Sequence, residues 1–372
     1  MRIEGNAVNA QGQLRAVVMQ TAEGRIASLR EYRDANSSLP LLMPGFIDIH
    51  VHGGGGSDTM EATADAFEQI ASTHARFGTT ALLLTTVTES PEKIAAVLDA
   101  VHRYMALPGK GAQVLGVHLE GPFIHPSKAG AQRPDLIIDP NEQLAHTWFS
   151  SGVVRMITLA PERPGAHAVS RLAAKRGVVA AVGHTTAQWE DMQAARSAGF
   201  SHVTHLCNAM PGFHHRDVGP IGYSVMDDAM TADLICDGIH VNAAMVAALC
   251  RSIGEERLML ITDAIAAAAA APGRYELGGL PVWVEGGACR LQDGTLAGSV
   301  LTMAHAVRMV QRLAGVSMAR AQRMASENPA RRLSLARKGR LEEGYDADVA
   351  AFSSEDFAPV WTMVGGRTVY EA

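Results

Sequence analysis

The strongest constraint on the fold is a regular alternation of apolar, strand-like runs with helical patterns between residues 44 and 334. Eight such runs follow one another: FIDIHVH, TTALLLTT, QVLGVHLEG, VVRMITLAPE, VVAAVGHT, HVTHLCNA, TADLICDG and LMLITDAI. Most are separated by helical patterns such as PEKIAAVLDAVHRYM and NAAMVAALCRSIG. Eight strands alternating with helices indicate an α/β fold, a parallel (β/α)8 TIM-type barrel. An open doubly wound sheet is the alternative, but no GxGxxG lies where a strand turns into a helix.

The two chain ends have a different texture. Residues 1–43 contain short alternating segments separated by Gly and polar residues, and residues 335–372 combine β-branched residues with a Gly-Gly turn. Neither piece is long enough to form a core of its own. We therefore expect residues 1–43 and 335–372 to pair into one small β-sandwich domain, with residues 44–334 forming the catalytic barrel.

Three stretches depart from the barrel rhythm. Met210 to Asp228 is long for a loop after a strand, and residues 272–299 read as a β-rich excursion after the eighth strand. Loops on the carboxyl side of a barrel usually carry substrate contacts, so both belong near a site. The alanine run at 266–271 is expected to be a flexible loop.

Composition excludes several classes of protein. The 372 residues are 47% hydrophobic and 19% charged, which fits a large α/β core and not a disordered chain. The net charge of -6, without any basic run, argues against a nucleic-acid partner. Four cysteines without CxxC spacing indicate reduced thiols. With neither an export signal nor an 18-residue apolar span, we expect a soluble, cytoplasmic protein that does not bind membranes.

Polar side chains cluster where the apolar runs end. His50 and His52 close the first run and project from the same side, because side chains alternate along a strand. A barrel gathers the carboxyl ends of its strands at one site. Buried carboxylates there need a partner or a metal. The pattern predicts a metal centre built from a subset of these residues. The other strand-end groups are His118, Glu120, His184, His205, Asp237, His240 and Asp263.

Not every histidine fits that centre. A lone histidine at a strand end more often packs in the core than binds a metal, and His118 could be such a residue. His202 is predicted to be structural, because it lies three residues from His205 and a strand points the two to opposite faces. Three histidines in helical segments are predicted to be solvated: His74, His102 and His146.

The nature of the ligands narrows the choice of metal. Nitrogen and carboxylate donors without a thiolate suit Zn²⁺, with Fe²⁺, Mn²⁺ and Co²⁺ as alternatives. Asp263 ends the last strand and is the natural general base beside the metal.

A set of motifs carries a resemblance over essentially the whole chain. The segments PGFIDIHVHG, GVHLEGPFI, VGHT, THLCNAM, ADLICDGIHV, LITDA, GTLAGSVLTM and SENPAR occur in this order. Together they resemble the N-acetylglucosamine-6-phosphate deacetylases of the amidohydrolase superfamily. PGFIDxHxHG is only a superfamily signal, whereas HLEGP and THLxNAM are more specific. The resemblance implies hydrolysis of the acetamide of N-acetyl-D-glucosamine 6-phosphate to D-glucosamine 6-phosphate and acetate.

The resemblance also implies roles for particular residues. Glu120, His184 and His205 would hold the principal metal. Asp263 would take a proton from the attacking water and pass it to the leaving amine. The sugar phosphate would be bound by Asn208, the backbone of Ala209, His240 and Arg216. Arg216 matches an arginine that reaches the phosphate from the neighbouring subunit, which implies a homodimer.

Two positions decide between members of the family. Members commonly have a histidine where this chain has Gln132, and that histidine helps to orient the substrate. Gln132 can donate a hydrogen bond but cannot be cationic. Some members replace the two histidines of the first strand and hold one metal, whereas His50 and His52 leave room here for a second.

Three alternatives remain open from the sequence. Gln132 leaves room for N-acetylgalactosamine 6-phosphate as the substrate. A cyclic amide or a deaminase substrate is the second alternative. The cyclic amide is disfavoured, because Glu120 occupies the bridging position that a carboxylated lysine takes in hydantoinase-type relatives. A non-catalytic protein on the same barrel is also disfavoured, because Glu120, His184, His205 and Asp263 are all retained.

Overall fold

The computed structural model describes residues 1–9, 11–254 and 256–372. Over these ranges the strands are β1 (Arg2–Val8), β2 (Leu14–Ala22), β3 (Arg25–Asp34), β4 (Leu41–Pro44), β5 (Phe46–Val51), β6 (Gly53–Gly54), β7 (Ser57–Asp58), β8 (Thr79–Thr86), β9 (Gln113–Glu120), β10 (Val154–Leu159), β11 (Val179–Val182), β12 (His202–Val203), β13 (Thr231–Ile235), β14 (Leu258–Ile261), β15 (Arg274–Leu277), β16 (Leu280–Glu285), β17 (Ala288–Arg290), β18 (Leu296–Ser299), β19 (Val349–Phe352), β20 (Pro359–Val364) and β21 (Arg367–Glu371). The α-helices are α1 (Ala64–Ala75), α2 (Pro91–Met105), α3 (Glu142–Phe149), α4 (Ala166–Lys175), α5 (Trp189–Ser197), α6 (Gly219–Met226), α7 (Ala243–Ser252), α8 (Met303–Ala314), α9 (Met318–Gln322) and α10 (Asn328–Arg332).

Eight parallel strands form the barrel, in the order β5, β8, β9, β10, β11, β12, β13, β14. All eight predicted runs are strands, so the predicted barrel is confirmed. The ring closes between its first and last strands, where the backbone N–H of Asp263 donates to His50 O at 3.0 Å. Two residues before His50 in β5, the Asp48 carboxylate accepts a 2.6 Å hydrogen bond from the Thr262 hydroxyl. Closure therefore holds the strands of the first histidine pair and of Asp263 together.

The barrel helices follow the usual rules of capping and amphipathicity. In α2, the Ser90 side chain accepts a hydrogen bond from Lys93 N, and Pro91 occupies the first turn, where its missing N–H costs nothing. Its buried face follows the helical period and packs against the barrel strands. That face comprises Ile94, Val97, Leu98, Ala100, Val101 and Tyr104.

Strands from both chain ends form one seven-stranded sheet in the order β21, β20, β19, β4, β1, β2, β3. The strands from the two chain ends share an apolar core, in which Val17 and Met19 of β2 pack in one cluster with Val349 of β19. A backbone hydrogen bond also connects the two chain ends, since Ala347 N donates to Gly24 O at 2.8 Å. The predicted small β-sandwich domain from both chain ends is thus present. We retain 1–43 plus 335–372 and 44–334 as our proposed division of the chain.

The predicted β-rich excursion is a separate four-stranded antiparallel sheet of β15 to β18. Leu277, Val282 and Ala297 of this sheet are buried with Val87, which follows barrel strand β8. The sheet therefore covers the carboxyl end of the barrel.

Two predicted loops differ from expectation. The stretch Met210 to Asp228 contains helix α6, which the glycines of GPIGYSVM concealed. The alanine run is a turn with buried Ala266 and Ala268, not a flexible loop. Their carbonyl oxygens accept 2.8 Å hydrogen bonds from the backbone N–H groups of Gly56 and Gly55, respectively.

The prediction that His74 is solvated is wrong. His74 is buried on the inner face of α1 and its Nε2 lies 3.0 Å from Gly53 O. It supports the glycine loop that follows β5, where a Cβ on Gly53 would lie 2.4 Å from Ser57 O. His102 and His146 are exposed, as predicted.

Within the described ranges, no helix has both the length and the apolar character needed to cross a membrane. The four cysteines all lie in described segments and none forms a disulfide.

Candidate metal centre

The carboxylate of Glu120, at the end of β9, lies among four histidines. Its Oε1 is 2.9 Å from His205 Nε2 and 3.2 Å from His184 Nε2. Its Oε2 is 3.3 Å from His52 Nε2, and His50 Nε2 lies 3.5 Å from Oε1. Oε1 is thus shared by His184, His205 and His50, Oε2 faces His52, and Glu120 contacts both histidine pairs.

Within each histidine pair, the two Nε2 atoms lie close to each other. The Nε2 atoms of His50 and His52 are 3.1 Å apart, as the alternation along the first strand predicted. The Nε2 atoms of His184 and His205 are 3.2 Å apart. Imidazole nitrogens converging on a shared carboxylate form a donor set that suits a divalent cation. The two groups that could each hold an ion are therefore His50, His52, Glu120 and Glu120, His184, His205.

Three site residues have backbone conformations that L-amino acids rarely adopt. The φ angles are 46° at His184, 31° at His205 and 51° at Asp263. Each residue follows the end of a barrel strand, where the chain turns from the sheet towards the next segment. A left-handed conformation at a non-glycine residue costs free energy, and such positions concentrate at functional sites.

Hydrogen bonds on the far side of the rings fix their orientation. His184 Nδ1 lies 2.8 Å from Lys128 O, and His52 Nδ1 lies 3.2 Å from Thr85 O. A backbone carbonyl can only accept, so each Nδ1 carries the proton and donates it. The Nε2 atoms then face the centre, an arrangement typical of metal-binding histidines.

Charge in the centre favours a cation. Burial would raise the pKa of Glu120, but the surrounding imidazoles, His50 and His184 first, hold that pKa well below its usual range. Burial would lower the pKa of His52, yet hydrogen bonds to Asp263 and Glu120 raise it to about 10. Glu120 likewise outweighs burial at His205 and raises the pKa there to about 9. A divalent cation would compete with these protons for the same carboxylates.

Asp263 lies at the edge of the centre, with Oδ1 3.2 Å from His52 Nε2 and 3.4 Å from His50 Nε2. Burial would raise the pKa of this carboxyl, but the His50 charge and the His52 hydrogen bond lower it to about 2. Asp263 is therefore ionised at neutral pH and can accept a proton.

Below the centre, polar side chains inside the barrel support the ligands. The Asp233 carboxylate accepts a hydrogen bond from the backbone N–H of His205 and lies 2.9 Å from His202 Nε2. His118 lies 2.7 Å from the Thr158 hydroxyl. His202 and His118 thus have structural partners, as predicted for His202 and considered for His118.

A cavity of about 320 Å³ opens over the centre. Nine of the predicted site residues line it, whereas His50 lies behind the others and Arg216 lies elsewhere. Arg216 is exposed in the segment before α6, with a guanidinium nitrogen 2.7 Å from His215 Nε2. The nine that line the cavity are His52, Glu120, Gln132, His184, His205, Asn208, Ala209, His240 and Asp263.

Four of the predicted substrate residues line this cavity: Gln132, Asn208, Ala209 and His240. His240 Nδ1 lies 2.6 Å from the Asp237 carboxylate, which orients the ring. Asn208 follows His205 in the same turn, and its backbone N–H donates to His205 O at 2.9 Å. The short segment from His205 to Ala209 thus carries both a candidate metal ligand and predicted substrate residues.

Sequence reasoning missed several cavity residues. Lys128 contributes a cation, and its Nζ lies 3.4 Å from Met210 O, beside Ala209. Its position eight residues after Glu120 was a usable signal. Three further cavity residues lie in the excursion at 272–299, which the sequence placed near the site without singling out these residues: Leu277, Thr295 and Leu296.

Comparison with known proteins agrees with this architecture. Residues 41–369 match the family model described as "Amidohydrolase family". An N-acetylglucosamine-6-phosphate deacetylase of Lysinibacillus sphaericus is 37% identical, covering 97% of this chain and 95% of the relative. An N-acetylgalactosamine-6-phosphate deacetylase of Escherichia coli O157:H7 is 39% identical, covering 90% of each.

A solved structure gives the same result for the fold. A mutant N-acetyl-D-glucosamine-6-phosphate deacetylase of Mycobacterium smegmatis, in complex with N-acetyl-D-glucosamine-6-phosphate, matches with a TM-score of 0.92. It is 33% identical and the match covers 99% of both chains. The chain belongs to the amidohydrolase family. Within that family it is similar, over nearly its full length, to deacetylases of phosphorylated amino sugars.

Proposed function

We propose that this protein hydrolyses the acetamide of N-acetyl-D-glucosamine 6-phosphate, giving D-glucosamine 6-phosphate and acetate. The observation that carries the proposal is the Glu120 carboxylate among four histidines, with ionised Asp263 beside it at the floor of a cavity. Similarity to deacetylases named for this substrate supports the choice of sugar.

The galactosamine epimer is the second candidate. The Escherichia coli relative is named for N-acetylgalactosamine 6-phosphate, and its 39% identity is no lower than that of the glucosamine-named relative. Gln132, where members commonly have histidine, favours keeping this alternative. The two epimers differ at one hydroxyl, so they test the sugar end of the cavity and not the chemistry.

The chemistry divides between a cation and the protein's own groups. When bound, a divalent ion, with Zn²⁺ as our choice and Fe²⁺, Mn²⁺ or Co²⁺ as alternatives, polarises the amide carbonyl and lowers the pKa of water. Glu120, His184 and His205 would hold that ion. Asp263 takes a proton from the attacking water and delivers it to the leaving nitrogen, which makes the amine a better leaving group.

The polar residues that line the cavity suit the phosphate. Asn208, the backbone of Ala209 and the ring of His240 are among them. Lys128 adds a cation close to Ala209, which fits a phosphate dianion. We propose that Arg216 completes this site from the neighbouring subunit of a homodimer, because it is exposed and does not line the cavity of its own chain.

Replacing Arg216 with Ala is expected to raise KM for the phosphorylated sugar by about 10- to 100-fold, because an arginine–phosphate contact is charge-assisted and bidentate. Turnover of unphosphorylated N-acetylglucosamine, measured alongside, should not change. Arg216→Lys keeps the charge without the fork and should fall between the two. An unchanged KM in Arg216→Ala would contradict the phosphate role.

A mixing experiment tests the homodimer. Arg216→Ala and Asp263→Asn protein are each expected to be impaired, but a mixed dimer contains one site with both native residues. Activity that rises on mixing and exchange supports an arginine supplied by the partner, whereas activity equal to the average of the two variants contradicts it.

The number of ions depends on the first histidine pair. We expect two zinc ions per chain in the native protein and one in the His50→Asn/His52→Asn variant, because Glu120, His184 and His205 remain. Elemental analysis of both proteins measures the ratio. Equal metal content in the two would rule out an ion at this pair.

The absence of disulfides among the four cysteines supports a cytosolic location for the enzyme.

The proposed function itself is tested by product analysis. Acetate and free amine should appear in equal amounts from N-acetyl-D-glucosamine 6-phosphate, and the ratio of kcat/KM for the two epimers decides between them.

A further inference from the structure

Gln132 is the position at which this chain departs from the pattern that its motifs predict, and its side chain is almost fully buried. Its relative exposure is 5%, and it lies on the cavity wall next to Glu120. Its amide Nε2 is 2.6 Å from Glu120 Oε2, and its Oε1 is 2.6 Å from Thr88 N. Both ends of the amide therefore contact the protein.

The two partners determine which way the amide points. The Thr88 backbone N–H is a donor only, so the atom facing it must be the amide oxygen. The NH2 group then faces the Glu120 carboxylate, whose oxygen accepts its hydrogen bond. The amide thus spans a fixed backbone donor after β8 and the carboxylate at the end of β9.

The contact selects one oxygen of the carboxylate. Glu120 Oε2, which accepts from Gln132, is the oxygen that lies 3.3 Å from His52 Nε2. The other oxygen, Oε1, lies 3.2 Å from His184 Nε2, 2.9 Å from His205 Nε2 and 3.5 Å from His50 Nε2. Without Gln132, this hydrogen bond to the carboxylate would be lost, and rotation about the last torsion of Glu120 could move Oε2 away from His52.

We propose that Gln132 is a positioning residue that fixes Glu120 Oε2 towards His52 and thereby determines the affinity for a second divalent ion at the pair of His50 and His52. The inference deepens the proposed function and rests on its metal centre, but not on which sugar is hydrolysed. Hydrogen-bonded partners of ligating carboxylates are typically worth 10- to 100-fold in metal affinity. Gln132 also differs in role from the substrate contact that the family resemblance implies for this position.

The test measures zinc binding without any substrate. Chelator-stripped protein is titrated with zinc against a chromophoric chelator, which gives separate affinities for the two ions. Gln132→Met keeps the length of the side chain but removes both polar ends, and should weaken the second ion by about 10- to 100-fold. Gln132→His, which offers one acceptor and one donor, should stay close to the native protein.

The His50→Asn/His52→Asn background provides the specific control. There the second ion site is absent, so Gln132→Met should leave the affinity of the remaining ion unchanged. An equal loss in that background, or native affinity for both ions in Gln132→Met with only KM raised, would overturn the proposal. If Gln132→Met fails to fold by circular dichroism, Gln132→Asn retains a buried amide that is one methylene too short to span the gap, and the same loss is expected.

Discussion

Replacing Asp263 with Asn is expected to lower kcat by about 10²- to 10⁴-fold, the usual contribution of a positioned general base. Asn is nearly the same shape and keeps an oxygen near His50 and His52, but it cannot take up a proton. Metal content should therefore stay at the native value while acetate release falls. The measurement pairs steady-state kinetics with elemental analysis of the same sample.

A matched control shows whether the loss of turnover is specific to Asp263 or follows from an Asp→Asn substitution elsewhere in the chain. Asp65→Asn, at an exposed position in the first turn of α1, should leave kcat unchanged. Near-native turnover in the Asp263→Asn enzyme would rule out Asp263 as the base. A fall in kcat that merely follows loss of metal would instead assign Asp263 a role as a ligand.

The second large effect is expected at Glu120. Glu120→Gln removes the negative charge that faces all four histidines and leaves one acceptor oxygen where two are needed. Zinc affinity should fall by more than about 100-fold, beyond the range typical of outer partners, and acetate release should fall with it. Zinc titration of the stripped variant measures the affinity directly.

The two variants together separate binding from proton transfer. Added zinc should restore part of the activity of Glu120→Gln at high concentration but none of the activity of Asp263→Asn. Full metal occupancy in Glu120→Gln at native zinc levels would contradict the role of this carboxylate as the common ligand.

Much of the architecture could be predicted from the sequence, because it depends on local periodicity. Apolar runs bounded by polar residues marked all eight barrel strands, and the alternation of FIDIHVH placed His50 and His52 on one side. Strand-end chemistry likewise placed Glu120, His184 and His205 among the candidates for one centre, since a barrel brings such ends together, and the family resemblance singled out these three.

What could not be predicted depends on packing between distant segments. His74 has the spacing of an ordinary amphipathic helix, and nothing local shows that its ring meets the glycine loop after β5. The helix α6 carries glycines that lower its intrinsic propensity, so tertiary contacts must supply its stability. The left-handed backbone at His184, His205 and Asp263 contradicts local preference altogether, and only the assembled barrel compensates for it.

The role of Gln132 shows the same limit at the site. Its sequence position suggested a contact with the substrate. That contact stays a prediction. In addition, burial between Thr88 and Glu120 gives the amide two protein partners, and these decide its orientation.

The most direct test of the account is the dependence of acetate release on bound metal. Protein stripped with a chelator and reloaded with measured amounts of zinc should release acetate from N-acetyl-D-glucosamine 6-phosphate in proportion to the zinc it retains. Stripped protein that releases acetate as fast as reloaded protein, or fully loaded protein that releases none from either epimer, would contradict metal-dependent deacetylation.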